Sequence, residues 1–256
     1  MKTSGNTILV TGGASGIGRE LAERFHAQGN TVIIAGRRQE RLDEVAAAHD
    51  GIVGYALDIA DPDSIEAFAA TVVRNHPELN VLINNAGVMM FEDLTQSRDL
   101  SDADATIATN LLGPIRLTNA LIDHLTTQPD AAIVNVTSGL AFVPLVATPT
   151  YSATKAAIHS YTVSLRDVLK GKVEVIELAP PAVQTELTPG QSTRAGYMPL
   201  NDFMDEVMAL FSQQPTPAEI LVEKVGFLRF AEAEKRFDET LATLNDFARQ
   251  AREGGH

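Results

Sequence analysis

Tyr151 and Lys155 stand four residues apart in the run Tyr151-Ser152-Ala153-Thr154-Lys155. On a helix that spacing puts both side chains on one face, with Cβ atoms about 5–6 Å apart. A phenol with an ordinary pKa of about 10 shuttles protons poorly near neutrality. Lowering it by two to three units takes roughly 3–4 kcal/mol. One cation at about 4 Å, in an effective dielectric near 20, supplies about 4 kcal/mol. The pair therefore has the makings of a proton-transfer centre. Spacing alone is a weak signal, because four tyrosines and six lysines in 256 residues produce a chance match about one time in ten. Tyr55, Tyr161 and Tyr197 meet Ile59, Leu165 and Asn201 at the same offset, so only Tyr151 has the cation. Upstream, Asn135-Val136-Thr137-Ser138-Gly139 closes an apolar run, which puts the Ser138 hydroxyl at a strand end where it can hydrogen-bond a substrate oxygen, or else cap a turn or helix.

A second constellation lies near the amino terminus. Thr11-Gly12-Gly13-Ala14-Ser15-Gly16-Ile17-Gly18 joins a buried strand to a helix. The glycines permit a tight turn and close backbone approach, and the helix start offers free N–H groups and a positive dipole end to a pyrophosphate. A glycine cluster by itself is often only a turn; its position between a strand and a helix is what points to a dinucleotide. At the end of the next strand, NAD sites usually present a carboxylate to the ribose, and NADP sites an arginine. Here Gly36 occupies the acidic position and Arg37 and Arg38 follow. Guanidinium groups suit a 2′-phosphate, whereas cations at a helix start otherwise sit at the unfavourable end of its dipole. The expected cofactor is NADP(H), with NAD(H) as the lesser alternative.

The elements that must hold these residues alternate along the chain. Thr7–Thr11, Thr31–Ala35, Gly54–Leu57, Val81–Ile83, Ala132–Val136 and Val173–Leu178 read as six short strands. Helical patterns fall between them: Ile17–Gln28, Gln39–Ala48, a segment opened by Asp61-Pro62, Asp102–Leu125 with a break near Gly113-Pro114, and Thr150–Leu169. This is an α/β chain with a doubly wound, mostly parallel sheet and helices on both faces. Its ligand belongs beyond the carboxyl ends of the strands. Residues 181–204 read as a substrate loop. Two or three helices follow over about 217–250, including Pro217–Phe230 and Phe237–Arg249. The apolar stripe Phe237, Leu241, Leu244 and Phe247 is expected to be core or subunit interface.

Composition narrows the function. Hydrophobic residues make up 45% and charged residues 21%, as in an ordinary globular protein. The absence of cysteine excludes disulfides and thiolate chemistry. A net charge of −13 repels polyphosphates, so neither nucleic acid nor an anionic membrane is an expected partner. No signal-like or membrane-length apolar run is present, and a cytoplasmic location is expected. No two of His26, His49, His76, His124, His159 and His256 pair at ligand spacing, so surface or capping roles, and no metal, are expected.

Taken together, TGGASGIG, Asn84-Asn85-Ala86-Gly87, Asn110, Ser138 and YSATK resemble, in order and spacing, the short-chain dehydrogenases/reductases, over roughly residues 6–185. The phrases ELAPPAVQTEL and LAFVPL, and the tail, are similar to a narrower group, the oxidoreductases named after the teichoic-acid D-alanylation cluster. The resemblance implies one Rossmann-type domain over 1–256 that moves hydride between NADP(H) and a ketone or secondary alcohol. It implies that Tyr151 is the general acid/base, Lys155 lowers its pKa and holds the nicotinamide ribose, Ser138 orients the carbonyl, and Asn110 holds a relay water. The implied cofactor-binding set is Gly12, Ser15, Gly16, Ile17, Gly18, Arg37, Arg38, Asp58, Ile59, Asn85, Ala86, Gly87, Tyr151, Lys155, Pro181, Val183 and Thr185.

Two departures stand out. Pro180-Pro181 replaces the family's usual Pro-Gly, and no seventh strand is legible near the tail. A homodimer through the long helices is therefore expected, with a homotetramer as the alternative. Met89, Met90, Phe91, Leu140, Phe142, Val143, Met198 and Phe203 suggest a hydrophobic substrate. Arg194 is expected to be solvated. The alternative function is an NADP(H)-binding regulator or scaffold with little turnover.

Overall fold

The computed structural model describes residues 1–253. His256, to which the sequence assigns a surface role, lies outside the described residues. Seven strands form one sheet in the order β3-β2-β1-β4-β5-β6-β7, and every pairing is parallel. The strands are β1 (Thr7–Thr11), β2 (Thr31–Gly36), β3 (Ile52–Ala56), β4 (Leu79–Asn84), β5 (Ala132–Val136), β6 (Glu174–Leu178) and β7 (Glu219–Ile220). The nine helices among the described residues are α1 (Gly16–Ala27), α2 (Gln39–Ala48), α3 (Pro62–Asn75), α4 (Ser101–Ile107), α5 (Gly113–Leu125), α6 (Pro149–Val168), α7 (Leu200–Phe211), α8 (Gly226–Arg229) and α9 (Phe237–Glu253).

Both faces of the sheet are covered, so its strands read as continuous apolar runs. The period of two still sorts them. Ile8, Val10, Ile34, Val81, Ile83 and Ile176 face one core with Leu21 and Phe25 of α1, Leu42 of α2 and Phe203 and Phe211 of α7. Leu9, Ile33, Leu82, Ile133 and Val175 face the other, with Phe68 and Val72 of α3 and Leu117 and Leu121 of α5. Strand order reverses between β1 and β4. The loops leaving these two strands diverge there and open a crevice at their carboxyl ends.

Four sequence expectations change. The helix break near Gly113 is a π-helical turn over Ala108–Leu112, just ahead of that glycine. A Cβ at Gly113 would lie 2.6 Å from the Ile59 carbonyl oxygen, so α5 can approach this closely only with glycine there. The segment Pro217–Phe230 is not a helix: it supplies β7, a 3-10 turn at Glu223–Val225, and α8. Ile220, Val225 and Leu228 are buried from three separate elements, and Val222 from the link between the first two. The seventh strand is thus present. Its two residues pair with Glu177 and Leu178 of β6, too short a run to show a period of two. The loop 181–204 ends earlier than expected, because α7 begins at Leu200. No described helix is long and apolar enough to cross a membrane.

Candidate active site

The crevice begins with the β1–α1 turn. Gly12 has φ +67°, and a Cβ there would press on Ala86 Cα at 3.0 Å. At Gly18 it would lie 2.3 Å from Asn85 Nδ2 and 2.4 Å from the Gly12 carbonyl oxygen. Side chains would therefore fill the turn. Asn85 holds this turn against the end of β4: its side-chain amide donates to the Thr11 carbonyl at 2.9 Å. The Thr11 hydroxyl accepts from Asn85 N and Ala86 N at 3.0 and 3.1 Å. Ser15 opens α1 without a side-chain cap, and the first turn carries no acid. Its N–H groups are left for an anion.

The turn borders a groove of about 170 Å³ whose walls include Gly12, Ser15, Arg37, Arg38, Asp58, Ile59, Ala86 and Gly87. Arg37 and Arg38 are exposed, and neither enters an ion pair among the described residues. The Asp58 carboxylate accepts from Ala60 N at 3.0 Å, which shapes the loop after β3. These features fit a dinucleotide: a cradle that a Cβ would block, free helix N–H groups and two unpaired guanidiniums at its far end. Ile17 and Val183 instead turn into the core. Thr185 lies over Gly16, within 3.6 Å of where its Cβ would be. Pro181 lines a neighbouring cleft, beside Ser138 and Tyr151.

That neighbouring cleft, about 110 Å³, is walled by Met89, Leu140, Leu145, Leu187 and Leu228. Ser138 and Tyr151 are only 7% exposed there, and Lys155 is 5% exposed. Burial pushes the Tyr151 phenol up to about 12, and a hydrogen bond with Ser138 works in the opposite direction. Burial brings the Lys155 ammonium down to about 8. Lys155 Nζ donates to the Val136 carbonyl at 2.8 Å and sits 5.6 Å from the Tyr151 ring centre. Desolvation thus outweighs the attraction that the sequence spacing suggests, and the ammonium is held by a strand-end carbonyl. Asn110, on the π-helical turn, exchanges two hydrogen bonds with the backbone of Val88 at 2.8 and 2.9 Å and reaches the Thr154 hydroxyl at 3.4 Å. A helix widened at that turn lets this side chain leave α4–α5 toward α6.

The start of α6 is fixed by a residue that sequence reasoning did not select. The Glu92 side chain, 2% exposed, accepts from Thr150 N at 2.9 Å and Thr150 Oγ1 at 2.7 Å and pairs with Arg98. A carboxylate suits a helix amino end, and this one grips the residue before Tyr151. The tail does more than form core. Phe237, Leu241 and Leu244 pack on Val143, Leu228 and Ala231 as expected, but Leu244, Phe247 and Ala248 also line the cleft. Asn245 fastens α9 there, accepting from Val146 N at 2.8 Å and donating to the Pro144 carbonyl at 3.2 Å.

Of the residues expected to mark an apolar pocket, Met89 and Leu140 line it. Phe203 is instead buried in the core on α7, Val143 packs with α9, and Met198 pairs with Val183. Arg194 is not simply solvated: it donates to the Tyr197 hydroxyl at 3.3 Å, and the Tyr197 ring forms part of the wall. Among the described residues no group of three His, Asp or Glu could hold a metal. A larger cleft, about 650 Å³, lies at the opposite end of the strands beside Met1, Lys172 and Glu174, and holds none of these groups.

A family model for the short chain dehydrogenases matches residues 6–195. The chain belongs to that family. It is thereby an oxidoreductase of the kind that acts on CH–OH and C=O groups. It is 44% identical over 198 residues to the uncharacterized oxidoreductase DltE of Bacillus subtilis, covering 77% of this chain and 79% of that one. A short chain dehydrogenase from Burkholderia cenocepacia in complex with NADP has a similar structure, with a TM-score of 0.80, 25% identity and coverage of 95% and 99% of the two chains. A 3-ketoacyl-(acyl-carrier-protein) reductase from Brucella melitensis complexed with NADH gives a TM-score of 0.75 at 25% identity, covering 85% and 96%. Structural relatives therefore include complexes with both nicotinamide dinucleotides.

The two buried groups predict a stability signature. Lys155 has its folded value below its ordinary one, so the folded state carries a desolvated cation near pH 7 and is relieved of it as pH rises from about 8 to 10.5. Removing the amine by Lys155→Met should relieve up to about 3 kcal/mol at pH 7, less about 1–3 kcal/mol for the orphaned Val136 carbonyl. Urea unfolding of the cofactor-free protein should show the difference between variant and wild type moving in wild type's favour between pH 8 and 10.5. A pH-independent difference would contradict the buried-ammonium account.

Proposed function

We propose that this protein is an NADP(H)-dependent carbonyl reductase/alcohol dehydrogenase acting on a hydrophobic ketone or secondary alcohol, with the whole chain working as one domain. The observation that carries the reading is the pair of buried hydroxyls, Tyr151 and Ser138, on the wall of an apolar cleft next to the glycine cradle. Gly12, Ser15, Gly16 and Gly18 would hold the pyrophosphate, and Asp58, Ile59 and Asn85 to Gly87 would line the cofactor. Pro181, Thr185 and the backbone of Val183, whose side chain is in the core, would border its nicotinamide end. A nicotinamide bound there supplies hydride in one direction and accepts it in the other.

In reduction, Tyr151 donates its phenolic proton to the carbonyl oxygen while Ser138 holds that oxygen. Donation leaves a phenolate in a site where burial opposes charge. Lys155 is the nearby cation that offsets this penalty, and its lowered value lets it pass a proton on near neutrality. Asn110 would steady a water on the route from Lys155 to solvent. The apolar walls, from Met89 and Leu140 to Phe247 of the tail, exclude water and favour a hydrophobic substrate. Arg37 and Arg38, free of ion pairs among the described residues, support NADP(H) over NAD(H) through a 2′-phosphate.

A homodimer is part of this reading. Packed together, α4 and α6 leave Leu100, Ile107, Val163 and Val168 exposed. Sedimentation equilibrium should give twice the chain mass, and a monomer at micromolar concentration would rule the dimer out.

Two enzymatic outcomes follow. Tyr151→Phe should bind NADPH like the wild type and lose about 10²–10⁴-fold in kcat with an active ketone. Retained carbonyl-dependent NADPH oxidation would refute the mechanism; binding without turnover by wild type, across a broad carbonyl and alcohol panel, would favour a regulator or scaffold. Arg37→Ala should cost about 10–100-fold in NADPH affinity, the worth of one charged hydrogen bond, with little change for NADH. Equal binding of NADPH and NADH by wild type would overturn the NADP(H) assignment.

A further inference from the structure

Glu177 is a buried carboxylate that the proposed chemistry leaves unused. It stands on β6 between Ile176 and Leu178, and its side chain has no solvent exposure. Taking a carboxylate this far from water costs several kcal/mol unless its partners are well placed. Its partners are specific. Oε1 accepts the Thr137 hydroxyl at 2.7 Å, and the two oxygens face Nδ1 of His159 at 3.0 and 2.8 Å. With only carboxylate oxygens before it, Nδ1 carries the proton and donates.

These partners belong to the two elements that bear the catalytic hydroxyls. Thr137 immediately precedes Ser138. His159 follows Tyr151 and Lys155 at successive intervals of four on α6, and so shares their stripe. The arrangement continues past the imidazole. The His159 ring meets Phe142 edge-on at 4.9 Å, and the Arg229 guanidinium covers the same phenyl ring at 4.7 Å. Arg229 is held by both Glu219 oxygens at 2.9 Å, and Glu219 of β7 is the register partner of Glu177. The 3-10 turn Gly139–Ala141, opened by Ser138, therefore ends on a ring gripped from two sides. Sequence reasoning assigned His159 a surface or capping role; its side chain is 26% exposed, but its protonated nitrogen points inward.

We propose that Glu177 and His159 are positioning residues for Ser138: the buried carboxylate, through Thr137 and through the His159–Phe142 contact, sets where the Ser138 hydroxyl stands relative to Tyr151. This rests on the reading of Ser138 as the group that holds the substrate oxygen. A nonpolar residue at position 177 would sit on the Val175 face of the strand with no desolvation cost, but it could not hold Thr137 and His159 at once.

A double-mutant cycle separates positioning from general stabilisation. The full-length protein would be assayed with NADPH and an active ketone, in single turnover where the steady state is too slow. Glu177→Gln, which keeps shape and an acceptor oxygen, should lower kcat about ten-fold, as small misplacements at a reacting centre do. NADPH affinity by fluorescence titration should stay at the wild-type value. In a Ser138→Ala background the same change should cost less than about two-fold, because the group it positions is gone. Equal losses in both backgrounds, or wild-type kcat in Glu177→Gln, would overturn the proposal while leaving the role of Ser138 intact. Wild-type turnover by Ser138→Ala alone would remove that role and this inference with it. Should Glu177→Gln fail to fold, His159→Gln, made at a partly exposed site, carries the same expectations.

Discussion

Lys155 holds an ammonium group out of water against a single carbonyl, that of Val136, at the end of the fifth strand. Such a charge is tolerable only where the backbone around it is rigid and its stem is packed. The surrounding architecture serves that condition. Parallel strands covered on both faces give a stiff strand end, and α6 lies against β5 and β6 so that the lysine can reach the carbonyl without loss of helical geometry. The same desolvation acts on the Tyr151 phenol in the opposite direction, raising it while the amine falls. Two groups with displaced proton affinities thus stand side by side in a dry cleft, the kind of perturbation that marks a candidate acid–base site.

Polar groups are threaded through this dry region in hydrogen-bonded chains. Asn84 donates to Asn135, which donates to Thr162 of α6, so the sheet and the helix that carries Tyr151 and Lys155 are joined by side-chain hydrogen bonds below the site. Above it, Glu92 grips Thr150 at the helix start and Asn110 clasps Val88. Glu177 performs the equivalent service between β5, β6 and α6. Each connection costs desolvation and returns orientation, which in a catalytic centre matters more than net stability. The long loop and α9 complete the enclosure from outside the sheet, where contacts are apolar and shape decides the fit.

Much of this was legible in advance. The glycine turn, the strands β1 to β6, the helix carrying Tyr151 and Lys155 and the strand-end location of Ser138 follow from local rules: period, caps and turn chemistry acting over a few residues. What local rules miss are contacts between distant parts of the chain. The tail stripe reads as core, and Leu244 is core; that it also walls the cleft depends on where Asn245 meets the backbone at Pro144 and Val146, about a hundred residues away. The two-residue β7 has no periodicity to display and exists only because β6 offers it an edge. Glu92, Glu177 and His159 carry no motif, since a carboxylate in sequence looks the same whether it is solvated or buried.

The fold class, the glycine cradle and the candidate hydroxyl, amine and phenol are readable from residue types alone, because they depend on fixed short spacings along regular elements. That Lys155 leans on Val136 rather than on the phenol, that burial governs both proton affinities, and which distant side chains hold the site in place emerge from the folded molecule. Those outcomes depend on dielectric surroundings and on packing between elements, and these arise only once the chain has closed on itself.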